Sequence, residues 1–413
     1  MKEDRRFHWA WIILVISFLN LFTNYSIRLG YGVVLPEMIR DLGFSRTVGG
    51  TILNSYFISY IALTPFVGYL TDRLGARRVI TTCVFILGVG VFMMGTVKTL
   101  WTACFFFSIA GLGATGMWTP VLTVAQRWFT PKKRGLALGI ISTGYGLGFA
   151  TMGVAFPWIV DHFNWRYAWY FLGGGALAMV ILNGLLLRST PESAGFLPWG
   201  QKEAVSSNKL RKMTRPEIGS FPKLLKDRTF WLIGFSYFCI SYSLYGITTY
   251  MVDYAKYSMG LSLEKASFLA TIHGLCQIIG VLTILPLSDY LRRKKTMVIT
   301  QFFITSSLLG ILFVGNNWIM LYILIGILAV FYGVTFPLYG ACAGDYYSRE
   351  VMGTVIGAWT PLYGTGAILS HWAGGILRDA TGNYNYAFTI NAVMAGIALI
   401  LFSRVKKGSN NPL

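Results

Sequence analysis

A chain of 413 residues with 54% hydrophobic and only 12% charged positions, and a positive mean hydropathy, is too apolar for a soluble globular protein. Its formal charge of +19 would suit nucleic acid, but the placement of the charge along the chain excludes that reading. The five cysteines (Cys83, Cys104, Cys239, Cys276 and Cys342) all fall in apolar stretches without ligand spacing, so neither a metal centre nor a redox pair is expected.

Twelve apolar stretches of about 20 residues, each long enough to cross ~30 Å of hydrocarbon, are expected as membrane-spanning helices. They cover 9–38, 47–70, 78–97, 100–124, 135–160, 166–187, 229–252, 264–287, 296–315, 317–341, 353–377 and 385–403. No small-residue cleavage site follows the first, so it is expected to be retained. Residues 189–228 are the one long polar segment and separate six spans from six. The expected division is therefore 1–188, a basic linker at 189–228, and 229–413. With the amino terminus inside, 27 of the 35 Lys and Arg lie in inside segments. That asymmetry is the positive-inside rule, and it puts both termini in the cytoplasm.

Span one carries Asn20, Asn24 and Arg28 at i, i+4, i+8, a polar stripe expected to face a watery cavity. Arg28 lies about eight residues from the outer end, hence ~12 Å deep at 1.5 Å per residue. A guanidinium keeps its proton, and burying it costs at least ~2.5 kcal/mol on insertion scales. No aspartate or glutamate occurs deep in another span, so an anionic substrate is the expected counter-charge; Glu37 or the outer headgroups are the alternative. On span eight, His273 and Gln277 form a second polar face at i, i+4 and similar depth. His273 either donates to a carboxylate or carries a proton, with ordinary packing as the alternative. His371 on span eleven lies nearer the outer surface.

Three further motifs carry no such chemistry. Gly111-Leu-Gly113-Ala-Thr-Gly116 fits a dinucleotide fingerprint only by pattern, since no strand precedes it. Close helix packing explains it, and likewise Gly144-Tyr-Gly146-Leu-Gly148. Asn24-Tyr-Ser26 lies inside the bilayer and is no glycosylation site.

The segment Gly68-Tyr-Leu-Thr-Asp72-Arg73-Leu-Gly75-Ala-Arg77-Arg78 has an echo 217 positions later, Leu285-Pro-Leu-Ser-Asp289-Tyr-Leu-Arg292-Arg293-Lys294-Lys295. Pro120 and Pro337 share that offset, so one half reads as written twice. The two segments resemble the cytoplasmic loop motif of the major facilitator superfamily and its C-terminal copy. The resemblance implies an all-α membrane protein of twelve transmembrane helices in two pseudo-symmetric six-helix halves. It also implies a gate built on Gly68, Asp72, Arg73, Arg77, Asp289 and Arg292, in which Asp72 meets the helix start near Gly353 and Asp289 that near Gly135. Gly68 would permit close helix approach and Gly75 the tight turn. The stretch Pro191-Glu-Ser-Ala-Gly-Phe-Leu-Pro-Trp-Gly200 resembles the monocarboxylate and oxalate/formate branch. From the spans that line the cavity in this superfamily, Tyr56, Trp118, Tyr145, Tyr245, Thr249, Tyr332, Tyr339, Trp359 and Tyr363 become candidates for packing around a solute. The branch's usual arginine in helix eight is Val281 here, which leaves Arg28 as the deep permanent cation.

The expected function is secondary transport of a small organic anion, a mono- or dicarboxylate, by alternating access, with proton coupling through His273. Arg28, Asn24, His273 and Gln277 are the expected anchors. No cofactor, metal, nucleic acid or enzymatic activity is expected, and a monomer in a prokaryotic inner membrane is the expected setting. An exporter of amphipathic or aromatic compounds, or a non-transporting solute sensor, are the alternatives.

Overall fold

The computed structural model describes residues 8–200, 221–347 and 352–405. Nearly everything in it is helix, as a chain must be when no water satisfies its backbone. Span one consists of α1 (Ala10–Arg28) and α2 (Tyr31–Leu42), followed by α3 (Arg46–Leu74) and α4 (Ala76–Met94). Span four is α5 (Leu100–Ala114), a 3-10 turn at Thr115–Met117 and α6 (Thr119–Trp128). Next come α7 (Pro131–His162) and α8 (Trp165–Leu186). The short α9 (Phe221–Lys226) precedes α10 (Arg228–Asp253), which runs into a π-helical turn at Tyr254–Ser258, and α11 (Leu263–Leu291). The last are α12 (Arg293–Ile311), α13 (Trp318–Tyr346), α14 (Met352–Thr381) and α15 (Asn385–Ser403). Among the described residues, ten helical segments are long and apolar enough to span a membrane. α12, which opens with Arg293, Lys294 and Lys295, and α14 complete the twelve.

Two spans are interrupted where the sequence suggested continuity. α1 stops at Arg28, and Gly30 follows in the gap; a Cβ there would run into the Ser26 carbonyl oxygen. Span four breaks at Trp118, whose φ of −111° and ψ of −79° depart from helix. α6 then restarts with Pro120, a residue suited to a first helical turn.

The chain forms two compact units. The first takes residues 1–34 and 55–210, the second 35–54 and 211–413, so the end of α2 and the start of α3 belong with the second. In the first unit α1 packs on α7 and α8, and α4 on α5 and α8. The glycine motifs serve that packing. A side chain at Gly113 would strike Leu87 of α4, and one at Gly148 would sit 2.5 Å from the Phe22 carbonyl of α1. In the second unit α10 packs on α14 and α15, α11 on α13, and α12 on α13 and α15. Large apolar side chains such as Phe105, Leu185 and Phe302 stay exposed on the helix exteriors, where lipid is their natural solvent.

Candidate substrate site

In the first unit the candidate residues meet at the two helix interruptions. Arg28 is the last residue of α1 and only 5% exposed. The carbonyl end of a helix favours a cation, so the interruption puts the guanidinium where the dipole of α1 helps to hold it. Its side chain lies over three aromatic rings, 4.5 Å from Phe57, 5.1 Å from Tyr60 and 5.9 Å from Tyr25. Each such face contributes about 0.5–2 kcal/mol, the more so away from water. Tyr25 links the two interruptions: its ring is 6.1 Å from Trp118 and 4.0 Å from Tyr145. Asn24 is buried, and its Oδ1 accepts from Tyr56 Oη–H at 3.4 Å. Arg28, Asn24, Tyr56, Trp118 and Tyr145 are thus brought together.

Asn20 is not. Its amide pairs reciprocally with Asn183 of α8, both bonds 2.8 Å, and donates to the Ile16 carbonyl at 2.9 Å. The expected polar stripe is therefore split, with Asn20 joining two helices. Sequence reasoning also missed Tyr25, Phe57 and Tyr60. The available signal was the i, i+4 spacing of Tyr56 and Tyr60, whose rings stack at 6.5 Å.

The second unit holds its own group. His273 is fully buried with its ring 4.9 Å from Tyr332. Gln277, one turn on, is 1% exposed, and neither end of its amide is hydrogen-bonded among the described residues. Phe336 lies between Tyr332 (5.5 Å) and Tyr363 (5.2 Å), and the Tyr363 and Tyr245 hydroxyls meet at 2.5 Å. The Tyr245 ring stands 5.9 Å from His371, whose Nδ1 is 2.7 Å from Asn54 Oδ1. Thr249 is buried one turn on from Tyr245 along α10. Trp359 packs apart from these, donating its indole N–H to the Phe230 carbonyl at 3.1 Å. Tyr339 is likewise engaged elsewhere, its hydroxyl accepting from Gln301 at 2.8 Å.

The same unit contains a set of charged contacts that the sequence did not announce. Asp253, fully buried at the end of α10, accepts from Arg46 at 3.2 and 3.4 Å and from the Tyr384 hydroxyl at 2.5 Å. Asp379 takes the N–H groups of Arg46 and Thr47 at 3.0 and 2.8 Å and the Thr47 hydroxyl at 2.6 Å. Burial disfavours the Asp379 carboxylate, but these hydrogen bonds outweigh it and hold the pKa below the usual value. Glu37 pairs with Lys256 and, at 2.6 Å, with Arg40. Segment 35–54 is thereby clamped to the helices of its own unit.

As for the expected gate, the side chains of Asp72 and Asp289, and the contacts of Gly353, lie outside the described residues. Arg73 reaches Tyr69 Oη at 3.4 Å, and Arg77 donates to the Gly184 carbonyl. Among the described residues, a Cβ at Gly68 or at Gly135 would meet nothing within 4 Å. Gly75 turns with φ +85°, and its counterpart Arg292 adopts φ +68°.

Comparison with known proteins decides the family. The profile of the Major Facilitator Superfamily matches residues 11–266 and 233–412. The chain belongs to that superfamily. This member is a membrane transport protein and not an enzyme. It is similar to the hexuronate transporter of Bacillus subtilis, 24% identical over 95% of this chain and 94% of that one. It is also similar to the probable galactarate/D-glucarate transporter GudP of Escherichia coli, 22% identical over 95% and 92%. Among solved structures, a bacterial homologue of the human lysosomal transporter Spinster shares the fold, with TM-score 0.72 at 15% identity, covering 98% of this chain and 95% of that one. The all-helical, twelve-span major facilitator fold stands.

Proposed function

We propose that this protein carries a small organic anion across the membrane by alternating access, with a carboxylate seated on Arg28. The observation that carries the reading is a guanidinium 5% exposed at a helix interruption and framed by aromatic rings. Planar and permanently charged, it suits bidentate recognition of a carboxylate, and broken helices are where transporters of this kind build their sites. The relatives are named for hexuronate and for galactarate and D-glucarate, which are polyhydroxylated carboxylates, and this supports the same class here. Asn24, Trp118 and Tyr145 complete the first group; Gln277, His273, Tyr245, Tyr332 and Tyr363 are the proposed contribution of the second. His273 is the proposed proton carrier, because a carboxylate and a proton entering together move less net charge. Trp359 belongs to the proposal only as packing support.

The six-span halves flanking linker 189–228, both termini on the cytoplasmic side, and a gate on Gly68, Asp72, Arg73, Arg77, Asp289 and Arg292 are parts of the same proposal. The basic distribution supports that orientation. The test is flux in proteoliposomes with galacturonate, glucarate and a neutral hexose as probes. Saturable uptake of the acids is expected to fall about 100-fold in Arg28→Gln, the loss of a bidentate charge-assisted contact. Flux of the acids that survives Arg28→Gln unchanged, or binding without flux, would overturn the reading.

A further inference from the structure

At the α3–α4 turn of the first unit lies a cavity of about 480 Å³ lined by Leu74, Arg77, Arg78, Arg188, Ser189 and Ser193. It shares no residue with the groups around Arg28 and His273. Its lining offers three guanidiniums and two hydroxyls, and among the described residues no carboxylate. Arginine does not shed its proton, so three such groups in one space repel one another, and a bound anion relieves that repulsion.

Two further features sharpen the requirement. Arg77 and Arg78 occupy the first turn of α4, where the helix dipole favours negative charge and where this helix has no acidic residue. The other end of the cavity is preorganised by α8. Arg77 donates to the Gly184 carbonyl, and Arg188 donates to the Leu185 and Leu187 carbonyls at 2.9 and 3.0 Å. Those bonds fix two of the three arginines at the carbonyl end of α8 and offset part of their charge. Arg78 is exposed and has no such tether among the described residues. Ser189 Oγ accepts from the Arg77 backbone N–H at 3.0 Å, which leaves its own O–H to donate. Ser193 Oγ gives its hydrogen to the Thr190 carbonyl at 2.7 Å.

The geometry points to a binding site for a phosphate-type oxyanion, in which Arg78 supplies the mobile charge and Arg77, Arg188 and Ser189 the fixed frame. The volume exceeds what a bare phosphate fills and falls in the range of small-molecule pockets. Free phosphate and the phosphodiester of an anionic lipid headgroup share this chemistry. Arg77 is shared with the proposed gate, but binding at this site is tested without transport.

The experiment uses the purified full chain in detergent, followed by tryptophan fluorescence on heating. The probes are inorganic phosphate against sodium chloride at equal ionic strength, and dihexanoyl phosphatidylglycerol against dihexanoyl phosphatidylcholine. A saturable rise in Tm with the phosphate-type probe over its control is expected. Arg78→Gln should weaken the apparent affinity about tenfold, the loss of one charge-assisted contact. Because Arg78 is exposed and its loss relieves repulsion among the three guanidiniums, this variant should keep or slightly raise the unliganded Tm; Ser189→Ala removes a neutral donor from the frame and should weaken affinity by a smaller factor. Protection by phosphate alone assigns a soluble anion, and protection by phosphatidylglycerol, alone or with phosphate, assigns a headgroup. No protection beyond the controls, or equal protection in wild type, Arg78→Gln and Ser189→Ala, overturns the site.

Discussion

Arg46 and Asp253 offer the sharpest energetic test of the structure. Asp253 is fully buried, whereas the Arg46 side chain is 24% exposed. Replacing Arg46 with Met keeps much of the side-chain volume but leaves a buried carboxylate with the Tyr384 hydroxyl as its remaining hydrogen-bond donor among the described residues. Breaking a buried ion pair in this way costs about 3–5 kcal/mol. The partial exposure of Arg46 and the surviving 2.5 Å Tyr384 bond reduce that to about 2–3 kcal/mol. Asp253→Asn keeps an acceptor for Tyr384, and the displaced guanidinium reaches water, so about 1–2 kcal/mol is expected. In the double variant the orphaned charge is gone, and its destabilisation should fall short of the sum by at least ~1 kcal/mol. Unfolding of the four proteins in mixed detergent–SDS micelles measures the cycle. Additivity within about 0.5 kcal/mol would mean that the pair is not coupled and that segment 35–54 is held by something else.

Other expectations follow from single residues. Gln277→Leu removes a buried amide that bonds to nothing described, so it should raise stability by about 1–2 kcal/mol while weakening substrate affinity; a stabilised variant with unchanged KM removes Gln277 from the site. Arg292→Gly relieves a positive φ in a residue with a Cβ and should raise the unfolding free energy by about 1 kcal/mol, whereas Gly75→Ala should lower it by a similar amount. A destabilised Arg292→Gly, or an unaffected Gly75→Ala, would contradict the turn geometry. Asn20→Ala leaves the Asn183 amide unsatisfied and should cost about 1–3 kcal/mol with unaltered KM, and Asn183→Ala should match it.

The helices were legible because an apolar run of membrane length has few alternatives once water is gone. Their interruptions were not, since the residues at the breaks, Gly30 and, around Trp118, Gly116 and Pro120, also occur within uninterrupted membrane helices. The Arg46–Asp253 pair escaped for a different reason: its members are 207 positions apart, and each alone reads as a loop charge. Gly75 and Arg292 show the converse. Their side chains are unlike, yet both backbones take positive φ, because the duplicated helix–turn–helix geometry imposes the conformation even where a glycine no longer eases it.

The split stripe on α1 is the most instructive case for the site. Residues four apart advance by about 400° on a helix of 3.6 residues per turn, so each step drifts about 40° and two steps about 80°. Asn20 and Arg28, eight apart, therefore share a side of α1 only loosely. That drift turns Asn20 toward Asn183 on α8 and Arg28 toward Phe57 and Tyr60 on α3, with Asn24 between them beside Tyr56. A polar residue deep in a membrane helix signals a polar counterpart. Whether the counterpart is a neighbouring helix or a solute depends on side-chain direction, and a drift of about 80° is enough to separate the two. For Asn20 the counterpart is another amide; for Arg28 the aromatic frame presents a planar cation whose shape and charge suit a carboxylate.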